Sequence, residues 1–447
     1  MERGGVAVTA IDAARVLEES GNAWFWLDGE AAAPGERRVS YLGIASEVRE
    51  AERGRERDFL ASLRAQQQGA AAARPPRVFS GLAAGWIAAL GYEFGVALVG
   101  ADAPVDDAAP AFALRADAVL VVNHDTGSAE ICGDAAAAAR LSALLTTRSA
   151  PVATTPARAA RLHPAHELAQ HVWRGDDYEA RVADCRAAIR AGDAYVLCLT
   201  DTAEAHTVAS PLELYGRLRQ GAMRGGVISM PGRALVSASP ERFLSVRGHT
   251  VSTHPIKGTR PRGESADRDR ELAAELAADP KERAENLMIV DLMRNDLARV
   301  CAVGSVRVER FLTVETHPRV HQLVSTVAGE LRAGADVYDA LEACFPGGSM
   351  TGAPKRSAIE VLSVLEAGPR GLYAGCFGWI DDGGDAELAM TIRGVELRAA
   401  AGTVWSADTA TRSRALVGAG GGITIDSVPE AERRERDLKA AAMLANL

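Results

Sequence analysis

Lys257 sits in the run His254-Pro255-Ile256-Lys257-Gly258-Thr259-Arg260-Pro261-Arg262-Gly263, where a primary amine is framed by prolines and glycines. Proline fixes φ and removes a backbone donor, and glycine lets a ligand approach the backbone closely. The segment therefore reads as a shaped basic turn carrying a potential nucleophile. A lysine has an ordinary pKa near 10.4, so roughly one amine in 10³ to 10⁴ is neutral at pH 7. Nucleophilic use calls for burial, neighbouring cations or a base at hand. A solvated basic turn is the other reading of the same residues.

Two pairs of acids have a different use. Asp279-Pro280 has the form of a helix N-cap followed by proline at the first helical position. Glu282 and Glu285 then fall on one face of the opening turns. Glu432 and Glu435 repeat that spacing after Pro429. These carboxylates could converge on a hard cation such as Mg²⁺, or simply complement two helix N-termini. Lys439 lies one turn beyond Glu435, placed for an i,i+4 pair. Gly418-Ala419-Gly420-Gly421-Gly422 has almost no side chain to hold a ligand away. Its N–H groups could cradle a carboxylate as a nest does, or form an ordinary turn.

These groups need a scaffold, and 447 residues with 47% hydrophobic content can bury a substantial core in one large or two or three ordinary domains. A helix is expected over 178–191 and strands at 24–27, 118–122, 195–199, 227–230, 234–237 and 305–308, from apolar periodicity. Hairpin-like strands followed by long helices suggest an α+β fold with antiparallel sheets. A stretch of Thr, Arg, Pro and Ala over 146–163 reads as a linker and places a division near residue 160, giving regions 1–160 and 161–447. The apolar run 83–100 contains Glu93 and four glycines and is expected to be a buried strand pair, not a membrane span.

A net charge of -9 argues against nucleic-acid binding. The six cysteines are scattered without a Cys-x-x-Cys pair, and the first residues lack a signal-peptide pattern, so a reduced cytoplasm is expected. Gly375-Cys376-Phe377-Gly378 has the outline of an amidotransferase nucleophile turn, but no fitting His-x-Glu follows.

In order along the chain, the Lys257 segment, 280–296, His321-Gln322-Leu323-Val324-Ser325-Thr326, Gly347-Gly348-Ser349-Met350-Thr351-Gly352-Ala353-Pro354-Lys355, the glycine run and Pro429–Glu435 resemble the chorismate-utilising enzymes. The resemblance is densest from about 176 to 439. It implies antiparallel β-sheets packed together and flanked by helices. It also implies a Mg²⁺ near Glu285 and Glu435, with Glu282 and Glu432 in support, holding a carboxylate of chorismate. Lys257 matches the members that aminate C4, on the p-aminobenzoate branch, whereas anthranilate-forming members usually carry alanine there.

On that resemblance Lys257 attacks C2 as the C4 hydroxyl leaves, and ammonia then enters at C4 and expels the lysine. Glu241, in Ser239-Pro240-Glu241-Arg242-Phe243, matches the general acid/base, and His321 matches the histidine beside the substrate ring. Thr259, Ser349, Tyr373, Arg393, Gly420, Gly421 and Lys439 match substrate-contacting positions. Ammonia would come from solution or from a separate glutamine amidotransferase subunit.

Two departures stand out. Val196 occupies a position where water-adding relatives carry lysine and aminating relatives a polar residue such as glutamine. An apolar side chain there disfavours water addition. Trp26-Leu27-Asp28-Gly29 and Val39-Ser40-Tyr41-Leu42-Gly43 resemble a tryptophan-binding region, but Gly29 stands where serine is expected. The rival readings are amination at C2 and a catalytically weak chorismate- or amino-acid-binding subunit.

Overall fold

Along the strand Trp24–Asp28, the two tryptophans pack into one cluster and Phe25 and Leu27 into another, all buried. Gly85–Leu90 divides in the same way, with Trp86, Ala88 and Leu90 on one side and Ile87 and Ala89 on the other. Period-2 strands buried on both faces must lie between two covering layers. That requirement organises the whole computed structural model, which describes residues 8–32, 35–71, 81–147, 169–220, 222–405 and 412–447.

Two antiparallel sheets, of 11 and 10 strands among the described residues, face one another. Between them Phe25, Leu27, Val121, Ile228 and Leu235 of the first pack against Ile87, Phe112, Leu114, Phe377 and Trp379 of the second. The outer face of the first sheet is covered by helices Ala10–Glu19, Ala135–Thr147, Pro211–Leu218 and Pro429–Leu444. The second is covered by Glu56–Ala71, Tyr92–Val99, Pro280–Ala298 and Val337–Cys344. The result is the expected α+β arrangement in four layers. Each sheet takes strands from both sides of residue 160: Trp24–Asp28 pairs with Arg224–Met230, and Gly85–Leu90 with Cys376–Asp381.

Several local expectations hold. The helix Tyr178–Ala191 forms, capped by Asp177 and closed by Gly192 in the left-handed region. Asp279 caps Pro280–Ala298, its Oδ1 accepting from the N–H groups of Lys281 at 2.9 Å and Glu282 at 3.1 Å.

Others change. The Lys257 segment is a strand, Ile256–Pro261, paired with Val320–Glu330. The glycine run lies inside a long strand, Ser413–Ile423. Residues 83–100 form one strand and then the helix Tyr92–Val99, because the buried Glu93 carboxylate accepts the N–H groups of Arg370 (2.7 Å) and Gly371 (3.0 Å) and ties a helical turn to that loop. The linker expected over 146–163 lies almost wholly outside the described residues.

Candidate active site

A cavity of about 390 Å³ opens where the edge strand Ile256–Pro261 of one sheet meets Ser413–Ile423 and Val196–Thr207 of the other. The first turns of Pro280–Ala298 and Pro429–Leu444 complete its rim. Lys257 reaches it through a bulge: Ile256 pairs with Val324 and Thr259 with Gln322, so one extra residue is accommodated on the lysine's strand. Gly258 supplies the left-handed φ of 85°. A Cβ there would lie 3.0 Å from the Glu282 carboxyl carbon, so glycine also admits that acid. Among the described residues the Lys257 amine has no hydrogen bond or ion pair, and it shares the cavity wall with Thr259.

Glu241 is buried and receives the Ser349 hydroxyl at 2.9 Å. Burial raises its pKa, against the opposing pull of Lys257 and the Ser349 hydrogen bond, to about 7. A carboxyl poised at neutral pH can deliver or take a proton. Its backbone is fixed: the Met390 N–H donates to its carbonyl at 3.0 Å, and its own N–H donates to Ser239 Oγ at 3.3 Å.

All four glutamates line the same cavity. Burial and the neighbouring Glu285 raise the pKa of Glu282. Burial raises Glu432 too, with Glu435 adding to it and the Ser427 hydroxyl, donating at 2.7 Å, partly offsetting it. Burial also works against ionisation of Glu435, but Lys439 at 2.7 Å overrides it and lowers its pKa, with help from Lys281 and Lys257. A cation would relieve the repulsion that Glu282 and Glu432 each feel from the neighbouring acid, and hard oxygen donors suit Mg²⁺. They stand as two pairs: among the described residues no three acid, histidine or cysteine side chains converge into one ready shell.

The glycine run is extended backbone and not a nest. It pairs with Val196–Thr207 along its whole length, while Gly394–Arg398 reaches only Arg414–Leu416. From Val417 onward the second edge has no strand partner among the described residues and borders the cavity. Glycine is needed because backbone and ring come close: a Cβ on Gly420 would lie 2.1 Å from the Leu199 carbonyl oxygen, and one on Gly418 2.0 Å from the Tyr373 ring. A Cβ on Gly421 would lie 3.2 Å from Glu432 Oε2. Lys439 donates to the Gly420 carbonyl at 2.8 Å. Arg393, an exposed residue, also lines the cavity, at a left-handed φ of 53°, its side chain without a hydrogen bond or ion pair among the described residues.

His321 is the sequence-derived site residue that the structure does not bring to this cavity. Its ring nitrogens are taken by Thr316 Oγ1 and Asp269 Oδ1, each at 2.9 Å, on the reverse of its strand. Alternation turns the next residue, Gln322, inward instead. Sequence reasoning also passed over Lys281 and Cys198, which line the cavity. Val196 lies on the same strand face as Cys198, one step beyond the lining, and 3.6 Å from a Cβ on Gly422. Lys355 is structural: its buried amine donates to Asp296 at 2.6 Å and the Cys344 carbonyl at 2.7 Å.

At the far end of the sheets, a Cβ on Gly29 would lie 2.1 Å from the Val39 carbonyl oxygen, so serine does not fit this backbone. Asp28 beside it is occupied by Ser40 (3.1 Å), Tyr215 (2.9 Å) and Arg219 (2.9 Å). Among the described residues no helix is long and apolar enough to cross a membrane.

A family model described as chorismate binding enzyme matches residues 14–445. The chain is 34% identical over 465 residues to an aminodeoxychorismate synthase of Streptomyces pristinaespiralis, covering 95% of this chain and 61% of that protein. It is 42% identical over 282 residues to anthranilate synthase component 1 of Arthrobacter globiformis, covering 62% of this chain and 51% of that protein. The chain thus spans half to three fifths of the length of these relatives. Among solved structures, anthranilate synthase component I from Streptococcus pneumoniae TIGR4 superposes with a TM-score of 0.72 at 26% identity, over 95% of this chain and 90% of that one. The fold is also that of MenF, the menaquinone-specific isochorismate synthase of Escherichia coli, with a TM-score of 0.68 at 17% identity over 99% of this chain and 92% of that one.

Proposed function

The chain belongs to the chorismate-binding enzymes, and from that premise we propose that it aminates chorismate at C4 to give 4-amino-4-deoxychorismate, through a covalent adduct on Lys257. The observation that carries this reading is the pairing, in one cavity, of an amine without a hydrogen bond or ion pair among the described residues and a buried carboxyl whose pKa is raised to about 7.

In the first step the neutral Lys257 Nζ forms a bond to C2, both ring double bonds shift by one bond toward C4, and the C4 hydroxyl leaves as water with a proton from Glu241. In the second, ammonia bonds to C4, both double bonds shift back, and the C2–Nζ bond breaks. Glu241, now a carboxylate, accepts the proton that ammonia releases, so the enzyme is regenerated and the net change is chorismate plus ammonia to product plus water. Ser349 orients the Glu241 carboxyl throughout.

Glu282, Glu285, Glu432 and Glu435 would hold a Mg²⁺. Bound there, it supplies positive charge against a substrate carboxylate. The open edge of Gly420 and Gly421 offers backbone groups, and Arg393 a free fork, to the substrate's anionic ends. Thr259 and Tyr373 shape the wall, and Lys439 holds Glu435 ionised. Ammonia is supplied from solution or by a glutamine amidotransferase partner.

Identity to the anthranilate synthase relative favours a second reading, amination at C2. Incubation of the purified chain with chorismate, Mg²⁺ and ammonium, with products resolved by chromatography and mass spectrometry, separates the two. A 4-amino product and a Lys257 adduct on the intact protein are expected; anthranilate, or a 2-amino product, would overturn the proposal.

A further inference from the structure

The cavity wall holds a carboxamide whose hydrogen-bonding capacity the protein leaves unspent. Gln322 is 5% exposed, lines the cavity, and has a buried Oε1 that receives no donor among the described residues. Rotating the amide by 180° exchanges oxygen for nitrogen and leaves an unmatched atom in the same place. Its strand cannot turn to relieve this. Gln322 is held opposite Thr259 on one side and Glu315 on the other. On the reverse face His321 is fixed by Thr316 and Asp269. Further along the strand, Ser325 donates to Asn286 at 2.6 Å, while Asn286 donates to the Leu323 carbonyl at 3.3 Å. A buried polar group without a partner weakens the fold, and the groups fitted to satisfy it are those that enter the cavity.

We propose that Gln322 is a specificity residue of this cavity, accepting on its carboxamide oxygen a hydrogen bond from an O–H or N–H of the reacting groups, either a ring hydroxyl of the substrate or the incoming ammonia. This rests on reading the cavity as a chorismate-aminating site. A carboxamide holds such a group without exchanging a proton, and no histidine lines the cavity among the described residues. Proton transfer near neutral pH is thereby left to Glu241.

The test compares the full chain with Gln322→Met, of similar length but without the amide, and Gln322→Glu, which keeps the acceptor. The readouts are the chorismate dissociation constant, the KM for ammonium, the pH–rate profile and the thermal midpoint. Gln322→Met is expected to weaken one of the two constants about tenfold or more. A change in the chorismate constant identifies the hydroxyl as donor, and a change in the ammonium KM identifies ammonia. Gln322→Glu is expected to recover part of that loss and to add an ionisation to the profile that the parent lacks. Parent-like constants in Gln322→Met overturn the proposal, as does a Gln322→Glu variant no better than Gln322→Met. The parent's own chorismate binding reports on the functional reading, and the variant-to-parent ratio reports on Gln322, so the two can fail separately.

Discussion

Two cavities treat charge in opposite ways. In the one at the junction of Ile256–Pro261 and Ser413–Ile423, the side chains of Lys257, Arg393 and Gln322 have no hydrogen bond or ion pair among the described residues, and Glu241 resists ionisation. In the other, of about 520 Å³ and near the N-terminal strands, Arg224, Arg242 and Arg247 share the carboxylates of Glu36 and Glu387. Those arginines drive Glu387 down to about 2 even though burial works against ionisation. Volume does not distinguish the two. What does is whether the lining groups answer one another or wait for a ligand: the first pattern holds a fold together, and the second leaves binding energy to be realised with substrate.

The comparison breaks most directly at Lys257. Lys257→Ala is expected to lower 4-amino product formation by about 10³-fold or more while leaving the thermal midpoint unchanged or higher, as read by product assay and calorimetry. Parent-level turnover in this variant would remove the covalent step.

Glu241→Gln comes next, with a rate loss of about 10² to 10⁴-fold. The folded-state pKa is raised from 4.5 to about 7, so the carboxyl's stabilising contribution is full below 4.5 and is lost as pH rises through 7. The parent's thermal midpoint should therefore decline more steeply between pH 4.5 and 7 than that of the variant, in which the other buried carboxyls such as Glu93 still titrate. An unchanged pH dependence of stability would show that Glu241 is not buried as described.

In the second cavity the effects should be on stability alone. Glu387→Gln leaves three guanidiniums short of a counter-charge and is expected to cost about 3 kcal/mol in urea unfolding, with chorismate affinity unchanged. Because the Glu387 pKa is depressed, its contribution is present above 4.5 and fades as pH falls toward 2, so the variant should lose least relative to the parent at acid pH. Smallest is Gly29→Ser, which forces a side chain against the Val39 carbonyl and should cost about 1–3 kcal/mol without altering turnover. A loss of chorismate binding in either variant would show that the two cavities are not independent.

Much of this division was legible in the sequence, because caps and charges act locally. Asp279-Pro280 announced its helix, and the spacing of Glu282 with Glu285 and of Glu432 with Glu435 placed all four at the cavity rim. What was illegible depended on long-range pairing. Val320–Glu330 is buried on both faces from His321 to Gly329, so apolar alternation carries no sign of which residues turn to the cavity, and His321, named from its motif alone, lies on the reverse face. The glycine run read as a nest or a turn because glycine is depleted from strands; its reason lies in Leu199 and Tyr373, more than forty residues away in sequence. Glu93 turned an expected strand into a helix by accepting two N–H groups from 370 and 371, a partner no local pattern reveals.

The glycine wall has one more consequence. A wall made of backbone has no rotamers to freeze, so ligand docking there avoids the ordering entropy that each long side chain would add, roughly 0.5–1.5 kcal/mol apiece. It also has no room to drift. At Gly420 even a methyl group meets the Leu199 carbonyl at 2.1 Å, so the identity of that residue is dictated by the neighbouring strand and would stay glycine whichever anion the edge came to bind.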